Sequence, residues 1–217
     1  MPSLDSITFD TTGLIPQSDI NGVRVWHTPE GDGLGLYYFP IPPDILADIN
    51  SLTSIGSFYG NQIAAANLTG ISINTLDIDE CKFIKMIIRV PQQPSGMMYI
   101  GSLTLPFRDF SFVVKMQCSE RGITGMRESL ILNELLDNDE VEFNNKSDEF
   151  EGWELPLDTV DSPYWKINRA ETVEYDARFP NHPLSILRRT FDQIEKSIKV
   201  SDDVKREPRF SYPKNGG

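Results

Sequence analysis

The chain has 217 residues, 39% of them hydrophobic and 24% charged, with two cysteines and a formal net charge of −12. That length and apolar content can bury a core without disulfides or metals, and they exclude a disordered chain, which lacks the aliphatic and aromatic side chains that offset ordering entropy. An acidic surface repels phosphate backbones, so no nucleic-acid partner is expected; no run approaches the roughly 18 apolar residues of a spanning helix, so no membrane is expected either.

The opening stretch Met1–Gly13 has neither the basic nor the apolar region of a signal peptide, which predicts a cytoplasmic protein. Cys81 and Cys118 sit in apolar, strand-like runs with no CxxC or His/Cys metal spacing, so they read as buried thiols of a reducing compartment. One α+β domain is expected over residues 1–200, followed by an extended polar tail over 201–217 with two prolines and a closing Gly-Gly.

Strand-like runs come first, at Ser6–Asp10, Val23–Thr28 and Leu34–Pro40, separated by turn signals such as Asn21-Gly22 and Gly31-Asp32-Gly33. Pro42-Pro43-Asp44 suits a helix start and predicts a helix from Asp44 to Tyr59, with Ile45, Ile49, Leu52 and Ile55 buried. Residues 70–118 hold four alternating runs in the manner of an antiparallel meander. One face there carries Met97, Tyr99, Leu103, Leu105, Phe112, Val114 and Met116. Thr124-Gly125 opens a helix to Leu136 that is apolar nearly all round and is expected to cover the sheet. Residues 137–162 lose periodicity and predict a long acidic surface loop; within it, residues 137–154 hold eight acids against Lys146. An amphipathic helix follows from Asn181-His182-Pro183 to Val200, with Leu184, Leu187, Phe191, Ile194 and Ile198 on one side and Arg188, Arg189, Lys196 and Lys199 on the other.

Motifs that carry chemistry are scarce. Gly31-Asp32-Gly33-Leu34-Gly35-Leu36 fails the dinucleotide pattern at Leu36 and reads as a hairpin turn. Asp137–Glu142 fails the calcium-loop pattern, because Val141 and Glu142 occupy the third ligand position and the glycine position. Only His27 and His182 can supply an imidazole, and neither lies in a nucleophile context, so no catalytic residue, metal or cofactor is assigned. Arg, Asp, Tyr and Pro concentrate around Glu120–Glu128 and Glu174–Arg189. Arg121, Arg127, Asp176, Arg178 and His182 there make either a polar pocket or a buried clamp that locks a helix onto a sheet.

Those stretches, GSLTLPFRDFSFVVKMQCSERGITGMRES at 101–129 and EYDARFPNHPLSILRRTF at 174–191, with FPIPPDI at 39–45, resemble an uncharacterised, mostly bacterial family of single-domain proteins. The order of helix, four-strand meander and helix also resembles the Mog1/PsbP-like α/β sandwich. The resemblance implies a sandwich whose members mostly bind other proteins, and it supplies no catalytic residue.

Two readings of function follow. The first is a non-enzymatic protein-binding accessory module, such as an inhibitor, an immunity protein or an assembly factor. It would present acidic surface to a basic partner through Asp137, Asp139, Glu140, Glu142, Asp148 and Glu149. The second is a small-ligand binder or enzyme using the Arg/His/Asp pocket; the lack of a catalytic motif weighs against it.

Overall fold

A computed structural model describes every residue except 21, 158, 159, 161 and 213–217. Asn21 of the expected Asn-Gly turn, part of the acidic segment and the closing glycines of the tail thus lie outside the described residues. The chain is an α+β protein built on a seven-stranded antiparallel sheet. Strands β1 (Ile7–Thr8), β2 (Ile15–Ile20), β3 (Val23–His27) and β4 (Gly33–Phe39) precede helix α1 (Leu52–Ala65). The meander is β5 (Thr69–Ile78), β6 (Cys81–Pro91), β7 (Met97–Pro106) and β8 (Ser111–Ser119), and the sheet order is β2-β3-β4-β8-β7-β6-β5. Helix α2 (Met126–Asp137) leads into short strands β9 (Glu142–Asn144), β10 (Glu149–Glu151), β11 (Glu154–Pro156) and β12 (Lys166–Asn168). Helix α3 (Pro183–Ser197), β13 (Lys199–Val200) and α4 (Asp202–Lys205) close the chain.

Strand alternation produces two apolar faces. The pairings Leu34↔Met116, Gly101↔Met116 and Ile87↔Gly101 put one row on the face that α3 covers. Gly101 lets α3 approach there: a Cβ would stand 2.8 Å from the Phe191 ring and 2.9 Å from Leu187. Leu184, Leu187, Phe191 and Ile194 are fully buried, and each such side chain contributes about 1.5–3 kcal/mol. On the other face Ile73 and Ile84 pack with Ile55 and Ile63 of α1 and with Trp165, whose indole N–H donates to the Gly56 carbonyl at 2.8 Å. Gly70 sits under that indole, where a Cβ would meet the ring at 2.2 Å.

Four expectations need correction. The segment 137–162, expected as a long surface loop, holds β9, β10 and β11 and buries Val141 and Val160, because short pairings and a few apolar anchors carry no periodicity to read. The helix expected from Asp44 starts at Leu52. Asp48 accepts the Asn50 N–H at 2.9 Å, a local turn that competes with the helix, and Ser51 then caps it by accepting the Ser54 N–H. Ile45 and Ile49 are buried all the same. Helix α2 does not cover the sheet: only Arg127, Ile131 and Leu135 are buried, against Val141 and Ala170 in a separate cluster, while Met126 and Leu130 face solvent. Residues beyond 201, expected to be extended, include α4, whose Val204 is buried, and Arg209, which bridges Phe107.

Among the described residues, no helix is long and apolar enough to cross a membrane. Both cysteines are free and buried.

Candidate functional site

Two places concentrate unusual chemistry. The first lies where α2, the 168–176 segment and α3 meet. Glu120 accepts the Met97 N–H at 2.8 Å through one oxygen and the Gly125 N–H at 2.9 Å through the other, so its carboxylate ties the loop before α2 to the start of β7. That fixes Arg127, which is 1% exposed. Its guanidinium donates to the Ala170 carbonyl (2.6 Å), the Ser185 hydroxyl (2.8 Å), the Thr172 carbonyl (3.0 Å) and the Asp176 carboxylate (3.0 Å). Asp176 also accepts from Ser185 at 3.1 Å and from Arg188 at 3.0 Å, and Arg188 donates onward to the Glu171 carbonyl at 2.7 Å. The fully buried Glu171 accepts from Arg89 of β6 at 2.7 Å. Four segments are thereby locked through paired buried charges, an arrangement whose desolvation is offset only because nearly every donor has an acceptor.

His182 caps α3: its Nδ1 accepts the Leu184 N–H at 3.3 Å, with Arg127 Nη1 at 3.5 Å from the same atom. Burial first, and then the Arg127 guanidinium, push this imidazole down to about 3, so it is neutral at pH 7. A neutral imidazole whose Nδ1 accepts carries its proton on Nε2. That Nε2 stands 3.8 Å from Glu120 and 3.7 Å from Glu128, without a hydrogen-bond partner. Burial and the neighbouring Glu120 and Glu171 charges raise the Glu128 carboxyl above the ordinary carboxylate range. Tyr99 donates to Glu128 at 3.3 Å, and its own phenol is pushed up by burial.

Donor atoms of Glu120, Glu128 and His182 lie within 4.8 Å of one another, close enough to suggest a metal. The tautomer argues otherwise. A metal-binding histidine donates its second N–H to an acceptor, whereas the second nitrogen here faces two donors.

Beside it opens a cleft of about 590 Å³ lined by Glu30, Arg121, Ile123, Met126, Phe179 and Ile186 as well as His182 and Glu120. Of the residues expected to form a pocket, Arg127, Asp176 and His182 come together. Arg121 is on the cleft wall, tied to the buried Asp32 at 2.6 Å, and Arg178 lies outside the cluster, pairing with Glu134 at 2.5 Å and stacking over Phe179. Glu120, Glu128, Glu171, Ser185 and Arg188 were not singled out by sequence. Arg188 in particular reads as the polar side of an amphipathic helix, and nothing local shows that Asp176 waits beneath it. His27 lies on β3 with Nδ1 2.9 Å from the Thr28 carbonyl.

The second place is the acidic segment. Asp137 ends α2, Asp139 adopts positive φ in the turn that follows, and Glu140 pairs with Arg169 at 2.5 Å. Glu142, Asp148 and Glu149 belong to the β9–β10 hairpin, with Asp148 in its turn. All three residues of β10 are exposed, as are Glu142 and Phe143 of β9. Phe143 pairs with Phe150 across the strands, ring centroids 5.1 Å apart, and Glu142 pairs with Glu151 on the opposite face, where Glu149 also lies. Among the described residues, no cation stands within ion-pair distance of Glu142, Glu149 or Glu151. Glu151 accepts a hydrogen bond from the Asn144 amide on this face; like charges directly opposite each other still destabilise a strand pair, and no ion pair among the described residues offsets the repulsion between Glu142 and Glu151.

No family model matches the chain, and no curated protein matches it. Among solved structures, the chain is similar to a crystal structure from Bacteroides thetaiotaomicron VPI-5482, with 6% identity and a TM-score of 0.34; the match covers 56% of this chain and 41% of that one. It is also similar to the solution structure of cyanobacterial PsbP (CyanoP) from Synechocystis sp. PCC 6803, with 17% identity and a TM-score of 0.37, over 62% of this chain and 83% of that one. Neither likeness speaks to function.

Proposed function

We propose that this chain is a non-enzymatic protein-binding accessory module, of the inhibitor, immunity or assembly-factor kind, that docks a basic partner through the β9–β10 hairpin. One observation carries the reading: Glu142, Glu149 and Glu151 share one face of an exposed two-stranded arm, with Glu142 directly opposite Glu151 and no cation of the described residues to relieve them. A short hairpin gains little from such an arrangement by itself, whereas a cationic partner converts the repulsion into attraction and speeds encounter. The Arg127 cluster supports the same reading from the other side, since its guanidinium spends its donors on protein acceptors and leaves little for a substrate. A reducing, cytoplasmic setting belongs to this proposal, supported by the two buried free thiols.

The test is a comparative capture experiment. Tagged wild-type chain, a Glu142→Gln/Asp148→Asn/Glu149→Gln/Glu151→Gln variant and a control neutralised at Asp202, Asp203 and Glu207 are used to capture partners from native lysate at two salt concentrations. Capture of a basic protein by wild type and control, lost at low salt in the hairpin variant alone, is the expected result. Equal capture by all three removes the hairpin from the account.

A further inference from the structure

The hairpin is also a wall of a cleft, and the lining of that cleft goes beyond general charge. Phe150 ends the exposed aromatic pair, and the chain then turns sharply through Gly152 at φ +82, where a Cβ would stand 3.1 Å from the Glu140 carbonyl. The turn is closed by the Trp153 N–H donating to the Phe150 carbonyl at 3.3 Å. Trp153 is anchored: its carbonyl accepts the Arg169 N–H at 2.9 Å, and its ring packs on the cluster of Ile131, Leu135, Val141 and Ala170. The result is a concavity of about 410 Å³ lined by Glu149, Phe150, Gly152, Trp153 and Glu154. Phe150 and Trp153, three residues apart, thus line a space that Glu149 and Glu154 also border. Glu154 is already held by Lys166 at 2.5 Å, while Glu149 has no ion-pair partner among the described residues.

We propose that this cleft receives an arginine side chain from an extended basic segment of the protein partner. The inference rests on the reading that the hairpin docks a basic partner, and it names the group that enters. A guanidinium suits these walls better than an ammonium. It is planar, weakly hydrated and able to stack on an aromatic face while offering a two-pronged edge to a carboxylate, and Glu149 is the carboxylate left free to take it. Tryptophan is the strongest aromatic partner for a cation, and here it is the wall fixed from behind by the core. The repulsion between Glu142 and Glu151 on the same arm adds a local negative field that draws cationic segments to the cleft.

The experiment titrates the full chain with three peptides of equal length that differ at one central position, which is arginine, lysine or the neutral isostere citrulline. Binding is read from tryptophan fluorescence and from the Trp153 indole N–H signal. Trp26 and Trp165 are buried and serve as internal references. The arginine peptide is expected to bind severalfold tighter than the lysine peptide, with no measurable binding of citrulline. Phe150→Leu, which keeps an apolar side chain and removes the π face, should weaken the arginine peptide at least threefold with overall charge unchanged. Glu149→Gln should weaken it further, and thermal melts of both variants confirm folding. Equal affinity of wild type and Phe150→Leu would overturn the cleft while leaving charge-dependent capture by the hairpin intact. Tight binding of spermine with none of the arginine peptide would overturn it in favour of a small polycation. Capture that survives neutralisation of the hairpin would instead remove the underlying reading.

Discussion

Replacing Arg127 by methionine, which has similar bulk but no donors, isolates the polar clamp. The guanidinium satisfies the Ala170 and Thr172 carbonyls, the Ser185 hydroxyl and part of Asp176 from a position 1% exposed. Methionine leaves two carbonyls without those partners and removes a charge beside Asp176, which keeps Arg188 and Ser185. An unpaired buried acceptor costs about 1–3 kcal/mol, and breaking a buried ion pair from one side costs about 3–5 kcal/mol, so a loss of roughly 3–5 kcal/mol is expected. Arg127→Lys keeps the charge but lacks the fork that reaches acceptors on three segments, and an intermediate loss of about 2 kcal/mol is expected. Urea unfolding followed by circular dichroism and tryptophan fluorescence measures both variants against wild type. A methionine variant within about 0.5 kcal/mol of wild type would show that the cluster is incidental to the fold, since surface substitutions fall in that range.

Four further outcomes are expected. His182 is neutral in the folded protein down to about pH 3, against an ordinary value of 6.5, so only the unfolded chain gains this proton as pH falls between those values. Stability from this group is complete above about pH 7 and is lost towards pH 3 at up to about 1.4 kcal/mol per unit. His182→Asn keeps a capping oxygen but does not titrate, so urea unfolding at several pH values should show the wild-type advantage shrinking below pH 6.5; a gap independent of pH would contradict the assignment. Ser51→Ala should cost about 1 kcal/mol through loss of the α1 cap, and an unchanged unfolding midpoint would place the helix start elsewhere. Burial holds the Cys118 thiol above its ordinary range, so it should react with a thiol reagent orders of magnitude more slowly in native than in unfolded protein. Leu187→Asp and Phe112→Asp each place an unpaired charge in the core and should abolish cooperative melting; normal melts would contradict the packing of α3 on the sheet.

The meander was legible because alternation survives wherever one face is buried: Phe112, Val114 and Met116 cannot change register without facing water. Helix α3 was legible for the equivalent reason, with Leu184, Leu187, Phe191 and Ile194 at helical spacing and Pro183 at the first position. Strand β2 was not legible, since every residue of it is exposed and it carries Pro16, so neither alternation nor propensity marks it. The same holds for β9 to β12, three residues each, whose pairing depends on turns more than on burial. Helix α2 reads as apolar nearly all round, yet its buried stripe is 127, 131 and 135, which starts with an arginine that hydropathy places outside. Arg127, Asp176 and His182 were singled out together with Arg121 and Arg178, because those residue types suit a polar pocket or a clamp. Glu120 and Glu128 entered only through the fold, which carries β8 and α2 past the start of α3.

The central claim is that the hairpin acids serve association and not folding. The direct measurement is the association rate of the captured partner with wild type and with the Glu142→Gln/Glu149→Gln/Glu151→Gln variant, across salt from about 20 to 500 mM, a range in which the screening length falls from roughly 20 Å to a few ångström. The account predicts that the variant melts within a few degrees of wild type, that its association is tenfold or more slower at low salt, and that the two rates converge at high salt. Equal rates at low salt, with both proteins folded, would contradict it.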